Sequence, residues 1–347
     1  MKSQTFFSSA LLFLPSLFSA ALALPANATG IFPRAYTGRV IDSNFPDPTW
    51  IQVGDTYYAF STTSGGLHTP MATSKDFVTW TRRDGYDALP KVGAWSTGVN
   101  IWAPDAFQLP NGQFILYYSA ESTLPASNGN SAHCIAAAAS SNVEGPYTPV
   151  GDAIQCHHDR GGAIDPAGFY DNATGKMYIV YKIDGNNIGH GGNCNNGVAP
   201  IQPTPLMLQE VDVSNGWSRI GDPVQILDRS DADGPLIEAP SLHAMADSSA
   251  TGGYQYFLFF SSNCYDGPWY DISYATSKSG VKGPYTKSSA PLLVTGNQGL
   301  YSPGGADVGP GGYRILFHSD QATSAATRVA NAGTLTYNLG ARTVSIV

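Results

Sequence analysis

Short runs in which apolar and polar residues alternate recur along this chain, and five stretches share one outline. Each has an acidic residue, a short apolar run, a turn containing Gly or Asn, and a second run of alternating aromatic and aliphatic residues. They read FPDPTWIQVGDTYYAFST at 45–62, APDAFQLPNGQFILYYSA at 103–120, IDPAGFYDNATGKMYIVYK at 164–182, IEAPSLHAM at 237–245 with GGYQYFLFFSS at 252–262, and GADVGPGGYRILFHS at 305–319. Alternation with a period of two on both sides of a turn predicts two strands joined as a hairpin. Further repeated pieces follow at 72–82, 139–151, 210–221 and 275–288, and each predicts a third strand, a polar turn and a short outer strand. Four strands per unit, repeated about every 60 to 70 residues, predict an all-β chain folded as a five-bladed β-propeller. The final unit reads as abbreviated, ending in GTLTYNLGARTVSIV.

The five acids are Asp47, Asp105, Asp165, Glu238 and Asp307, separated by 58, 60, 73 and 69 residues, and their recurrence suggests equivalent positions in the five units. In a propeller the first strand of each blade lies nearest the axis, so residues at its start converge on the central channel. Five carboxyls gathered there would feel both desolvation and one another, which drives some pKa values up and others down. The competing structural reading for any one of them is an acid that accepts backbone hydrogen bonds in an Asx-type turn.

The chain opens with Lys2, an apolar run from Ala10 to Leu24 broken by Pro15, and the small-residue pattern Ala21-Leu22-Ala23. This predicts a secretory signal peptide over 1–23 and a single propeller domain over 24–347, secreted and extracellular, with no membrane span. Only 13 % of residues are charged and the net charge is −8, which disfavours nucleic acid as a partner and suits a neutral substrate. Cys134, Cys156, Cys194 and Cys264 are an even set with three pairings open, and none is spaced as a CxxC metal site. Asn27-Ala28-Thr29 and Asn172-Ala173-Thr174 are glycosylation sequons, the second in the expected hairpin turn of the third unit. The Gly- and Asn-rich stretch 185–205 reads as a long loop within that unit, placed to cover one end of the channel.

Cleaving a glycosidic bond needs one carboxylic acid that protonates the leaving oxygen and one carboxylate that attacks or activates water. Glu238 is the candidate acid, being the one Glu of the set and lying in the apolar context Leu236-Ile237-Glu238-Ala239-Pro240. Asp47, in Phe45-Pro46-Asp47-Pro48, is the candidate base. Carboxyls contributed by different blades face each other across the channel, which favours the wider, inverting geometry with a water between them.

The motifs FPDP, WAPD, AIDP and IEAPS, in this order on successive units, make the whole region after the signal peptide resemble glycoside hydrolase family 43. The resemblance implies a five-bladed propeller acting with inversion on arabinan, arabinoxylan or xylan side chains. Carried onto this sequence, it implies Asp47 as general base, Glu238 as general acid and Asp165 as the third carboxylate that orients the acid and raises its pKa. Asp105 matches a recurrent acid of the second blade, expected at the substrate. His318 falls where members carry an axial histidine beneath the sugar that meets a metal directly or through water; oxygen donors around it would select calcium over zinc. Catalysis as outlined requires no cofactor.

Phe45 and Trp102 adjoin the candidate catalytic positions and are expected to stack on a pentose. Trp95, Tyr265, Trp269 and Tyr270 are candidates for flanking subsites, against the alternative that each packs between blades. The reading is thus a secreted, monomeric enzyme cleaving α-L-arabinofuranosyl linkages in plant cell-wall polysaccharide. The absence of sequence for an added β-sandwich after the last unit points toward arabinan. Its rivals are a β-xylosidase, a fructan hydrolase, disfavoured by the missing WMNDPNG, RDP and EC motifs, and a sugar-binding propeller without catalysis.

Overall fold

The computed structural model describes residues 1, 38–323 and 326–347. The expected signal peptide and the sequon at Asn27 lie outside the described residues. The described residues from Gly38 onward form one compact unit.

After β1 (Gly38–Ile41), four antiparallel sheets follow in strict sequence order. Blade I is β2 (Thr49–Val53), β3 (Thr56–Phe60), β4 (Pro70–Ser74) and β5 (Trp80–Asp87). Blade II is β6 (Trp102–Gln108), β7 (Phe114–Glu121), β8 (His133–Ser140) and β9 (Thr148–Gln155). Blade III is β10 (Ala163–Asp171), β11 (Lys176–Ile183), β12 (Leu206–Val211) and β13 (Arg219–Leu227). Blade IV is β14 (Ile237–Ala246), β15 (Tyr254–Ser262), β16 (Asp271–Ser277) and β17 (Thr286–Lys287). Blade V contains β18 (Gly304–Val308), β19 (Arg314–Asp320), β20 (Arg328–Asn338) and β21 (Thr343–Ile346). The sheet order of this last blade is β18-β19-β20-β1, with β21 also pairing β20. The unit that looks abbreviated in sequence is therefore completed by a strand from the other end of the chain, which closes the circle of blades.

The core lies between blades. One buried cluster joins Ile51 and Phe60 of blade I to Leu116 and Tyr118 of blade II, and another joins Tyr178 and Val180 of blade III to Leu258 and Phe260 of blade IV. Both faces of the second and third strands are covered, so β7, β11 and β15 are nearly continuous apolar runs. Cys134 pairs with Cys156 inside blade II, and Cys194 pairs with Cys264, tying the 185–205 loop of blade III to the loop after β15.

Each inner strand breaks its register where it meets the channel. Asp47, Ala103, Asp165, Ala239 and Gly305 have φ of 47°, 41°, 56°, 50° and 55°, and the first four precede a proline. The ladders of blades II to V skip across this residue and the next, as between Trp102 and Asp105 or Glu238 and Ser241. A left-handed residue followed by one without an N–H cannot continue a ladder, and the resulting bulge turns the backbone toward the axis. We call this residue position 0.

Candidate active site

Position 0 corrects the alignment of the acids. Only Asp47 and Asp165 occupy it; Glu238 stands one residue earlier, and Asp105 and Asp307 two residues later. The five acids are not equivalent, and the three places they take have different surroundings.

At position +2 the residues are Thr49, Asp105, Ala167, Ser241 and Asp307. Four of these side chains accept the backbone N–H at position +3 of the following blade. Ala106 N donates to Thr49 Oγ1 at 3.4 Å, Gly168 N to Asp105 Oδ2 at 2.7 Å, Val308 N to Ser241 Oγ at 3.0 Å and Trp50 N to Asp307 Oδ2 at 2.9 Å. Across the axis, Thr49 Oγ1 lies 2.9 Å from Asp105 Oδ1 and 3.0 Å from Asp307 Oδ2, and Ser241 Oγ donates to Asp307 Oδ1 at 3.2 Å. A hydroxyl carries one proton, so Thr49 donates in only one of its two carboxyl contacts, and the other carboxyl must supply a proton of its own. Asp307 Oδ2 is already an acceptor from Trp50, which assigns the proton to Asp105 Oδ1. Burial and the neighbouring Asp307 push Asp105 up to about 7, and burial pushes Asp307 up to about 6. The structural reading therefore describes Asp105 and Asp307: they bolt neighbouring blades together, and Asp105, largely buried in this ring, meets the axial cavity only at its floor.

At position 0 the N–H groups need acceptors as well, because the bulge removes them from the ladder. Asp47 N donates to His318 Nδ1 at 3.1 Å, Ala103 N to Thr62 Oγ1 at 2.7 Å, Asp165 N to Ser119 Oγ at 2.9 Å and Gly305 N to Ser261 Oγ at 3.0 Å. In blade III the corresponding place on the second strand holds Lys182, paired with Ile164 as Ser119 is with Trp102. A lysine has no lone pair to offer, and Asp165 Oδ2 takes the Ala239 N–H instead, at 2.8 Å. Lys182 is thereby free to donate to Glu238 Oε2 at 2.9 Å while pairing with Asp184 at 3.1 Å.

These substitutions in a repeating pattern build an asymmetric centre. Asp47 receives Arg328 Nη1 on Oδ1 at 2.9 Å and Thr62 Oγ1 on Oδ2 at 2.7 Å. Burial raises its pKa, but the guanidinium and the hydroxyl more than offset this, and the carboxyl is held below its ordinary value. Asp165 goes the other way: burial and the adjacent Glu238 charge push it up to about 8, against the pull of Lys182 and the Ala239 N–H. Asp165 therefore retains a proton at neutral pH. Tyr270, fully buried, donates its hydroxyl to Glu238 Oε1 at 2.9 Å. Its ring lies against blade V where a Cβ on Gly304 would come within 1.9 Å of it, so glycine is required there.

His318 accepts through Nδ1, which places its own proton on Nε2, a buried nitrogen with no partner among the described residues. Burial lowers its pKa to about 3, so the ring is neutral. A protonated Nε2 donates and does not ligate, and the ring therefore does not fit direct metal binding. The two groups of potential metal ligands among the described residues, around Cys134–Cys156 and Cys194–Cys264, have their sulfurs engaged in disulfides.

The aromatic expectations divide. Phe45 is fully buried among Ile41, Trp50, Tyr57 and Ala330, so its ring has no face for a sugar. Trp102 is half-buried, stacks on His133 at 3.7 Å, and holds in blade II the place Glu238 holds in blade IV. Trp95 packs on Tyr118 and the blade I–II cluster. Tyr265 lies beneath Arg328 at 5.1 Å, Trp269 is 73 % exposed, and Tyr270 belongs to the acid itself. Asp47 and Asp165 line a small axial cavity of about 40 Å³ with the prolines that follow them, and its floor is the +2 ring.

Sequence reasoning gave no role to Lys182, Arg328 or Thr62. Lys182 alone left a signal, a cation inside the apolar strand MYIVYKI.

Comparison with known proteins decides the family. The sequence model of glycosyl hydrolases family 43 matches residues 36–333. The chain belongs to glycosyl hydrolases family 43. It is 27% identical over 336 residues to a probable arabinan endo-1,5-α-L-arabinosidase D of Emericella nidulans, covering 87% of this chain and 79% of that protein. An extracellular endo-α-(1→5)-L-arabinanase of Thermotoga petrophila is 28% identical over 165 residues, 39% of this chain and 33% of that protein. The match thus spans about a third of that bacterial relative's length. Native Bacillus subtilis arabinanase Arb43A superposes with a TM-score of 0.67 at 23% identity, covering 90% of this chain and all of that one. The solved family-43 structures share the five-bladed fold.

Proposed function

We propose that this glycoside hydrolase cleaves α-L-arabinofuranosyl linkages of plant cell-wall arabinan or arabinoxylan with inversion at the anomeric carbon. One observation carries the reading: within one axial site Asp47 is held ionised by Arg328 and Thr62, while Asp165, beside Glu238, keeps a proton. Carboxyls whose environments drive their pKa values apart are the requirement for acid and base working together near neutral pH. In this mechanism Asp47 takes a proton from water as the water attacks the anomeric carbon. The C–O bond to the leaving sugar breaks, and Glu238, as the general acid, gives a proton to the departing oxygen and is left as a carboxylate. Asp165 orients Glu238 through its bond to Ala239 N.

Trp102 supplies an apolar face at the rim. No cofactor enters, and a calcium ion at the axis would be held through water and not on the His318 ring. The names of the arabinan-acting relatives support the substrate class. Secretion is supported by the two disulfides, which persist in oxidising compartments, and by the extracellular relatives.

The test is sugar release from defined arabino-, xylo- and fructo-oligosaccharides, with proton NMR of the fresh product. Arabinose units appearing first as the inverted anomer are expected. Release of xylose alone removes the substrate assignment, and a retained anomer removes Asp47 as base.

A further inference from the structure

The channel has a second mouth. Below the +2 ring lies a cavity of about 450 Å³, far larger than the one on the catalytic side, and Asp105, Ala167, Ser241 and Asp307 line both. A volume of this size is in the range that ordinary small-molecule sites enclose.

The walls are unequal. Blades I to III contribute Gln52, Gln108 and Tyr170 at corresponding positions, and Phe107 and His243 sit one residue earlier in blades II and IV. Blade V contributes Val308, Gly309, Pro310 and Gly311; the Trp50 ring packs against Gly309, while the space beside Gly311 is open. Gln52 and Gln108 spend an amide N–H on Gly54 O at 3.1 Å and Gly112 O at 3.3 Å, and their side-chain oxygens have no partner among the described residues. The ring nitrogens of His243 make no hydrogen bond among the described residues either. Burial lowers its pKa to about 4, so it is neutral and offers one donor and one acceptor.

No lysine or arginine lines the cavity, and its two carboxyls are consumed by the ring above. A charged ligand would therefore find no counter-charge. Flat aromatic faces with unspent amide and imidazole groups match a neutral polyol instead: apolar sugar faces stack on rings, and hydroxyls pair with amides.

We propose that this mouth is a second, non-catalytic carbohydrate site that holds an uncharged sugar unit against Tyr170 and Phe107 through hydrogen bonds to Gln52, Gln108 and His243. Because the +2 ring closes the channel between the two cavities, a chain bound here cannot thread to Asp47. The site anchors a separate segment of polysaccharide.

The experiment uses the full chain carrying Asp47→Asn, titrated calorimetrically with arabinohexaose and, separately, xylohexaose. Two sites per molecule are expected for at least one of them. Adding Tyr170→Ala or Gln108→Ala should weaken one site about tenfold and leave the other unchanged. Tyr170→Ala in the otherwise unaltered enzyme should turn over a short aryl arabinoside as before and lose activity severalfold on polymeric arabinan. A single site with both sugars, or two sites indifferent to Tyr170→Ala, overturns the proposal. So does a second site that appears only after enzymatic removal of a glycan from Asn172 on the rim, because the occupant is then the protein's own. The substrate reading fails separately, by absence of arabinose release, whatever binds at this mouth.

Discussion

Two layers of side chains, two residues apart on the same inner strands, do opposite things. The +2 layer repeats: four blades pass one hydrogen bond each to the next, and the fifth, at Ala167, omits it. The layer at positions 0 and −1 departs from its repeat wherever a charge is needed, with Lys182 in place of a hydroxyl, Asp165 taking over the lost acceptor role, and Glu238 beside it. The lower layer sets blade spacing, and the upper one uses the freedom this gives to place unlike carboxyls at one axis. Rigidity two residues below is what allows a strained, left-handed Asp47 to persist.

The comparison is broken most forcefully at the upper layer. Asp47→Asn should lower turnover about 10² to 10⁴-fold with circular dichroism and melting unchanged, and Glu238→Gln should do the same on natural, poor-leaving substrates while sparing aryl arabinosides. Near-native turnover by either on natural substrate would return the upper layer to a structural role.

Asp165→Asn sharpens the contrast. The buried carboxyl raised to about 8, which would carry a charge beside Glu238 only on the alkaline side, is then gone, while Glu238 keeps its contact with Lys182. The alkaline limb of kcat/KM should move to lower pH; a limb that stays or rises removes Asp165 as the modulator of the acid. Arg328→Met acts on the other carboxyl: without the guanidinium, burial dominates and Asp47 gains protons more readily. The acid limb should then rise by roughly one pH unit, the order of shift expected for losing an adjacent opposite charge.

The smallest effect belongs to the lower layer and is read in stability, not rate. Asp105 titrates at about 7 in the fold and at about 3.9 in an unfolded chain. Between those values the native state holds a proton that the unfolded state has released, so stability falls as pH rises through this window. Asp105→Asn keeps the donor to Thr49 and the acceptor from Gly168 without titrating. Its melting temperature should gain on the parent by a few degrees between about pH 4 and pH 7. Parallel melting curves would show that no proton sits on Asp105.

The repeat, the number of blades and the identity of Asp47, Asp165 and Glu238 as axial residues were readable because hairpin alternation and proline-flanked acids are local features. What escaped is not local. Whether an acid lies at position 0 or +2 depends on a bulge whose register is set by the neighbouring strand, so spacing near 60 residues made unlike positions look equivalent. Phe45 is two residues from Asp47, and nothing nearby indicates that its ring turns into the blade V interface. Arg328 lies 281 residues from the carboxylate it grips, and Tyr270 lies 32 from Glu238. The Arg328 contact follows from the closing of the ring, and that in turn depends on β1, whose four residues carry no repeat signature, while the Tyr270 contact depends on the fold of the loop before β16.

Along β20, Gly38 stands opposite Ala332 and Ile346 opposite Leu335. Both flanking strands run antiparallel to β20, so the last strand of the chain and the first lie end to end and point the same way. They are two halves of one interrupted track. A circular permutant that joins Val347 to Gly38 by a short linker and opens the exposed turn at 172–175 should therefore fold to the same propeller. In it the present seam would become a covalent connection, and the work of holding the circle shut would pass to blade III.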